Sequence, residues 1–179
     1  PTCWMTQQSS RAIDAAVGIL IVSALTIFGW RWAHTASQAS ASEQEIVGQT
    51  PGVIMVEPPG DTATTALSLA SDSGRVVLVF QHGCAPCEDQ RGTWEELARE
   101  AAGNVVAISM MPQGPEVHRF FRDPAVVEWY PKTVPQVTSV LGVRATPTTL
   151  IVDSAGTIAF ARIGPMNRRD WLAFRRALR

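Results

Sequence analysis

The stretch that decides the fold is residues 75–87, which read RVVLVFQHGCAPC. The first six residues are a continuous apolar run rich in valine, which predicts a strand buried on both faces of an α/β sheet. The run leads to Cys84 and Cys87, with Pro86 between them. A Cys-x-x-Cys pair at the point where a buried strand turns into a helix is typical of thiol-disulfide exchange. The stretch therefore predicts an α/β domain with a redox-active cysteine pair.

The two cysteines have different predicted roles. Cys84 falls at the start of the helix, where unpaired backbone N–H groups and the helix dipole favour a thiolate. Cys87 follows one helical turn later, within reach of a mixed disulfide formed on the first sulfur. We therefore predict that Cys84 is the attacking nucleophile and that Cys87 resolves the intermediate.

Helices and strands alternate after the cysteine pair. The apolar spacing of Trp94, Leu97 and Ala98 predicts a helix, and the next apolar run predicts a strand, which together indicate a parallel crossover. Two later strands are joined by Ser-Ala-Gly, a hairpin spacing. The predicted helices are residues 85–102, residues 134–141 ending at Gly142, and a last helix capped by Asn167, and the other predicted strands are residues 105–111, 148–153 and 157–162.

The composition excludes several classes of function. The chain has 15 basic and 16 acidic residues and a net charge of -1, so no global field favours nucleic acid as a partner. Three cysteines are too few for a disulfide scaffold or a four-cysteine zinc site. Haem attachment would need a histidine after the second cysteine, where Glu88 stands. We predict no cofactor and no metal.

A long apolar segment lies near the start of the chain. Residues 12–30 read AIDAAVGILIVSALTIFGW, with Asp14 as the only charge. As a helix these residues would extend about 28 Å, close to the thickness of the hydrocarbon core of a bilayer. Trp30 and Trp32 would then lie at a membrane interface. A cleaved signal peptide is the alternative, because residues 36–41 resemble a processing site, although the apolar run is longer than a usual signal core.

These patterns predict four regions: a tail over residues 1–11, a transmembrane helix over residues 12–32 in contact with membrane lipid, a flexible linker over residues 33–50, and a domain over residues 51–179. A dithiol used on exported substrates belongs on the oxidising side of the membrane. The expected location is therefore the inner (cytoplasmic) membrane, with a single pass, a cytoplasmic N-terminus and a periplasmic C-terminal domain.

Two motifs together resemble a known family. With HGCAPC after the first strand and VRATPTTLIVDSAGTIAFARIG further on, residues 50–179 resemble the thioredoxin fold, and within it the membrane-anchored TlpA/ResA-like thiol-disulfide oxidoreductases. The resemblance implies a central mixed sheet flanked by helices on both faces. It also implies that Pro147 is cis and packs against the redox pair, so that Thr146 and Pro147 form a substrate groove beside the catalytic Cys84 and Cys87.

The surroundings of the pair depart from the family pattern. Gly83 stands where the family usually has an aromatic residue, and Leu78 stands where many members bury an acid. Glu88 follows the second cysteine, and its negative charge would tend to raise thiolate pKa values. A charged His82 would act in the opposite direction. His82 and Glu88 are therefore predicted modulators of the pair.

The sequence is compatible with two functions. The first is an oxidoreductase that exchanges disulfides with a protein substrate or redox partner. The second is an accessory or structural subunit of a larger membrane complex with weak or no redox activity. The second would use an exposed aromatic patch for contact with other subunits. The candidate patch residues are Phe120, Phe121, Trp129 and Tyr130.

Overall fold

The structure, a computed structural model, describes residues 17–31, 42–101, 103–114 and 119–178. The chain divides into two units, residues 1–39 and residues 40–179. In the first unit, the described residues form one helix, α1 (residues 17–31). Within the described part of the chain, no helix combines the length and the apolar character needed to cross a bilayer. The sequence predicted such a helix over residues 12–32, and residues 12–16 and 32 of that prediction lie outside the described residues.

The second unit is built on a seven-stranded mixed sheet with the strand order β2-β1-β5-β4-β3-β6-β7. Strand β3 pairs in parallel with β4, and β4 with β5, whereas all the other pairings are antiparallel. The strands are β1 (Ile54–Glu57), β2 (Thr65–Leu67), β3 (Arg75–Phe80), β4 (Val105–Ser109), β5 (Val127–Pro131), β6 (Thr148–Val152) and β7 (Ile158–Ile163).

Helices cover both faces of this sheet. They are α2 (Ala85–Glu100), α3 (Val134–Leu141) and α4 (Arg168–Ala177). Val77 and Val79 of β3 belong to the same core cluster as α3, whereas Leu78 belongs to the cluster that contains residues of α2 and α4. Because side chains alternate along a strand, β3 is buried on both faces. The buried central strand and the α/β architecture predicted from the sequence are confirmed.

The helix ends follow local sequence signals. α3 ends at Gly142, whose φ of 68° is left-handed, as the sequence predicted. Asn167 caps α4, and its side chain accepts hydrogen bonds from the backbone N–H groups of Arg169 and Asp170. The carboxylate of Asp170 accepts in return from the backbone N–H of Asn167, which completes a capping box.

The expected linker over residues 33–50 is wrong for its second half, because residues 42–50 belong to the folded unit. Ile46 is only 2% exposed and lies in the core. The carboxylate of Glu43 accepts a hydrogen bond of 2.8 Å from the backbone N–H of Ile163, and the backbone N–H of Gly48 donates to the carbonyl of Ile158 at 2.9 Å. One helical turn carries no periodic pattern, so these contacts with β7 had no signal in the sequence.

The aromatic segment also differs from the expectation. The predicted strands leave residues 112–147 without a strand, whereas residues 127–131 form β5, which lies inside the sheet between β1 and β4. Phe120, Phe121 and Tyr130 are each at most 3% exposed, and Trp129 is partly buried against the core. The four rings therefore do not form an exposed patch, and the argument for a partner surface there is wrong.

Candidate redox site

The cysteine pair lies at the N-terminus of α2. Cys84 is the N-cap residue in extended conformation, and Pro86 lies in the first turn, where a missing N–H costs nothing. A disulfide joins Cys84 to Cys87, with the two Cα atoms 5.2 Å apart. The carbonyl of Cys84 accepts hydrogen bonds from the backbone N–H groups of Cys87 and Glu88, so the helix begins at the first cysteine.

The two sulfurs differ in accessibility. Cys87 is fully buried in the core cluster that includes Leu78, Phe80 and Trp94, whereas Cys84 is only partly buried at the edge of that cluster. A protein partner can therefore reach Cys84 but not Cys87. This asymmetry suits an attacking residue and a resolving residue in thiol-disulfide exchange.

The predicted groove residues lie beside the accessible sulfur. The peptide bond between Thr146 and Pro147 is cis. The hydroxyl of Thr146 donates to Sγ of Cys84 at 3.6 Å. The carbonyl of Pro147 accepts a hydrogen bond of 2.7 Å from the backbone N–H of Gly164, which follows β7. The structure therefore brings together two segments that are about 60 residues apart in the sequence.

Gly83, where the resembled family usually has an aromatic residue, has a φ of 72°. This left-handed conformation is open to glycine and strained for residues with a Cβ atom. The glycine therefore provides the turn between β3 and the cysteine pair.

Replacing Gly83 with alanine should destabilise the protein by about 1–2 kcal/mol, since the backbone is left-handed. No atom lies within 4 Å of the Cβ that would be added, so backbone strain is the only cost. The matched control is Gly92→Ala in α2, where the added Cβ also meets nothing within 4 Å. That change should instead stabilise the helix by about 0.5–1 kcal/mol. Urea unfolding of the oxidised protein measures both; stabilisation by both substitutions would contradict the role assigned to Gly83.

A buried acid is present, but it comes from a different strand than the family pattern implies. Leu78 is fully buried, so β3 supplies no acid beneath the pair. Glu128 of β5 is only 1% exposed. Its carboxylate accepts hydrogen bonds from the backbone N–H groups of Phe120 at 3.1 Å and Phe121 at 2.8 Å, and it lies 3.6 Å from Nε of Arg119. The buried charge is thus both paired and hydrogen-bonded, as burial requires.

Glu128 is connected through Tyr130 to His82, which lies two positions before Cys84. The hydroxyl of Tyr130 donates to Oε2 of Glu128 at 3.1 Å, and Nε2 of His82 lies 3.1 Å from the same hydroxyl. Burial and the adjacent Glu128 carboxylate raise the pKa of Tyr130 well above its ordinary value, so the hydroxyl keeps its proton. Sequence reasoning missed Glu128 and Tyr130 as site residues. The available signal was a single acid inside the apolar run VVEWYP at residues 126–131.

The other predicted modulator, Glu88, is exposed and engaged with a cation. Its carboxylate lies 2.5 Å from the guanidinium of Arg91. The same guanidinium lies 5.6 Å from the centroid of the Phe120 ring. The positive charge of Arg91 offsets much of the negative charge that Glu88 brings to the first turn of α2.

Among the residues that the structure describes, no three histidine, cysteine or acidic side chains come close enough together to hold a metal ion.

A disulfide in the first turn of a helix, beside a cis-proline at the edge of a mixed sheet, defines the thioredoxin-like class of proteins, and this chain has that fold. Solved structures agree. A thio-disulfide isomerase from Thermus thermophilus has a TM-score of 0.55 and 18% identity, covering 73% of this chain and 96% of that one. The exposed lipoprotein thioredoxin Etrx1 of Streptococcus pneumoniae has a TM-score of 0.52 and 18% identity, covering 69% and 96%.

Within that class, the chain is similar to the thiol:disulfide interchange protein CycY of Rhizobium leguminosarum bv. viciae, with 30% identity over 116 residues. The match covers 56% of this chain and 56% of that protein, so the chain spans little more than half of the length of this relative. No family model matches the chain. The resemblance to thiol-disulfide oxidoreductases drawn from the sequence is confirmed.

Proposed function

We propose that this chain is a membrane-anchored, extracytoplasmic thiol-disulfide oxidoreductase that acts through Cys84 and Cys87 on disulfides of other proteins. One observation carries the proposal: a disulfide at the start of α2 whose first sulfur is accessible and whose second sulfur is buried. A structural disulfide has no need of this asymmetry, whereas exchange with a partner does.

The proposed reaction transfers two electrons. In the reduced protein, the Cys84 thiolate attacks a substrate disulfide, forms a mixed disulfide and releases one substrate sulfur as a thiolate that takes up a proton. The Cys87 thiolate then attacks Sγ of Cys84, which releases the second substrate sulfur and forms the disulfide between Cys84 and Cys87. A dithiol redox partner would reduce that disulfide again. Reversal of the same steps would oxidise a substrate dithiol.

Thr146 and Pro147 are proposed as the substrate groove. In support, the Thr146 hydroxyl lies 3.6 Å from Sγ of Cys84. A substrate cysteine that reaches this sulfur must approach beside the same segment. The backbone of Thr146 and Pro147 is not helical and immediately precedes β6. Its peptide groups could therefore hydrogen-bond to an extended substrate peptide.

Residues 12–32 are proposed as the membrane anchor, with the cysteine pair in the periplasm. In support, apolar side chains of α1 are largely exposed, among them Ile19, Leu20 and Phe28 at 67%, 69% and 73%. Large apolar side chains on every side of a helix suit a lipid environment better than water. The similarity to a thiol:disulfide interchange protein also favours an oxidising compartment.

The test is a redox titration of the full chain in detergent, in glutathione buffers, with maleimide labelling as readout. We expect a reversible two-electron transition, with Cys84 of the reduced protein labelled much faster than Cys87. A membrane-impermeant maleimide added to intact cells after reduction should label Cys84 and leave Cys3 unlabelled. A pair that never cycles would overturn the proposed chemistry, and labelling of Cys3 without Cys84 would overturn the proposed orientation.

A further inference from the structure

A hydrogen-bonded chain runs from the buried carboxylate of Glu128 to the surface residue His82, two positions before Cys84. The links are the Glu128 carboxylate, the Tyr130 hydroxyl and Nε2 of His82, with both distances 3.1 Å. Glu128 and Tyr130 are buried, whereas His82 is exposed. Hydrogen bonds therefore connect a buried carboxylate to a surface imidazole close in sequence to the redox pair.

The direction of the hydrogen bonds assigns the tautomer of His82. A tyrosine hydroxyl has one proton, and here it is directed to the Glu128 carboxylate. The hydroxyl oxygen must therefore accept from His82, which places a proton on Nε2. A neutral imidazole with a proton on Nε2 carries its basic lone pair on Nδ1.

Contacts with three aromatic rings fix the orientation of the His82 imidazole in which it hydrogen-bonds to Tyr130. The His82 ring stacks on Tyr130, with centroids 6.1 Å apart, and meets Phe80 and Phe120 edge-on at 5.6 and 5.7 Å. Those three rings belong to the core cluster against which Cys84 packs. His82 and the accessible sulfur thus lie against the same cluster, and Gly83 alone separates them in the sequence.

The charged and titratable groups connected to His82 through its contacts come from three elements. Strand β5 supplies Tyr130 directly and Glu128 behind it. The loop before β5 supplies Arg119, which pairs with Glu128. Helix α2 supplies the Glu88–Arg91 pair, whose guanidinium covers the Phe120 ring on which His82 also packs. The only hydrogen bond that the described residues make to the His82 ring is that of Tyr130.

We propose that His82 is the proton acceptor for Cys84, and that Tyr130 and Glu128 are the positioning residues that set its orientation and tautomer. The proposal rests on the proposed function. When the reduced pair acts, the proton on Sγ of Cys84 passes to Nδ1 of His82, directly or through one water, and leaves a thiolate beside an imidazolium. The imidazolium then protonates the substrate thiolate that leaves, so no proton is lost and no electron moves in this step.

The test is the pH dependence of Cys84 alkylation by iodoacetamide in the reduced full chain in detergent. His82→Asn, Tyr130→Phe and Glu128→Gln should each move the midpoint of thiolate formation upward, for Tyr130→Phe by about one pH unit, or tenfold in thiolate fraction below the midpoint. The sign follows because a lost acceptor makes the thiol harder to ionise. The variants and the wild type should be alkylated at the same rate at high pH, where the Cys84 thiol is ionised without a proton acceptor.

The controls distinguish a failure of the role proposed for His82 from a failure of the proposed oxidoreductase function. Ser139→Ala removes a hydroxyl from α3, on the other face of the sheet, and should leave the pH profile unchanged. Glu128→Gln risks misfolding, so Tyr130→Phe, which deletes one oxygen, decides the outcome. If the wild-type pair cycles with glutathione and Tyr130→Phe and His82→Asn keep its pH profile, the role of His82 is overturned and the proposed function stands. If the wild-type pair does not cycle, the proposed function itself fails.

Discussion

Cys84→Ser should abolish thiol-disulfide exchange with glutathione, lowering the rate by about three orders of magnitude or more, because a serine hydroxyl ionises far less readily than a thiol. Cys87→Ser should behave differently. Its accessible Cys84 can still attack a disulfide, but the resolving thiol of Cys87 is no longer there to release the product. This variant should therefore accumulate as a mixed disulfide with one glutathione on Cys84, visible by intact mass and peptide mapping.

The third cysteine offers a matched control. Cys3 lies outside the described residues and outside the proposed site, so Cys3→Ser should exchange at the wild-type rate. Equal trapping of glutathione by Cys84→Ser and Cys87→Ser would contradict the assignment of attacking and resolving roles. Such a result would also contradict the difference in burial on which that assignment depends.

The second large effect concerns the core beneath the site. Trp94 of α2 is fully buried, and its indole Nε1–H donates to Oγ1 of Thr149 in β6 at 3.0 Å. This contact ties the helix that carries the cysteines to the strand that follows Pro147. Trp94→Ala should lower the free energy of unfolding by about 3–5 kcal/mol, because it leaves a large cavity. Chemical denaturation of the oxidised full chain in detergent measures the loss.

Two further variants divide this effect into its parts. Trp94→Phe keeps most of the apolar volume but leaves the buried Thr149 hydroxyl without its donor, which should cost about 1–3 kcal/mol. Trp171→Ala removes a tryptophan that is only partly buried, at the edge of the same cluster, and should cost less than Trp94→Ala. If Trp171→Ala cost as much as Trp94→Ala, burial against β6 would not be the source of the stability.

Elements with strong local signals were predicted closely. The strand over residues 75–80 and the helix over residues 134–141 have the predicted bounds, and α2 ends only two residues before the prediction. Their signals are local: a continuous apolar run for a strand buried on both faces, a helical apolar spacing, and a glycine at the helix end. Asn167 likewise marks the start of α4 by the chemistry of its own side chain.

Elements whose burial depends on distant neighbours were missed. Strands β1 and β2 are short, and β5 contains Glu128 and two large aromatic residues, so none resembled the valine-rich central strand. Residues 42–50 were predicted as linker because one helical turn with a single buried isoleucine has no period. Each of these segments is stabilised by pairing or packing with residues far away in the chain, such as β7 for Glu43.

The candidate site likewise has features that were predicted from local sequence and features that depend on distant residues. The sequence by itself determined the Cys-x-x-Cys pair, its place between a buried strand and a helix, and the second motif with Pro147, because each is a pattern of adjacent residues with its own chemistry. Only the tertiary structure decided which sulfur is accessible, and that the buried acid connected to His82 comes from β5 and not from β3. His82, Tyr130 and Glu128 are hydrogen-bonded because β3 and β5 end at the same edge of the sheet. His82 and Glu128 are 46 positions apart in the chain, so no local sequence pattern could predict this contact.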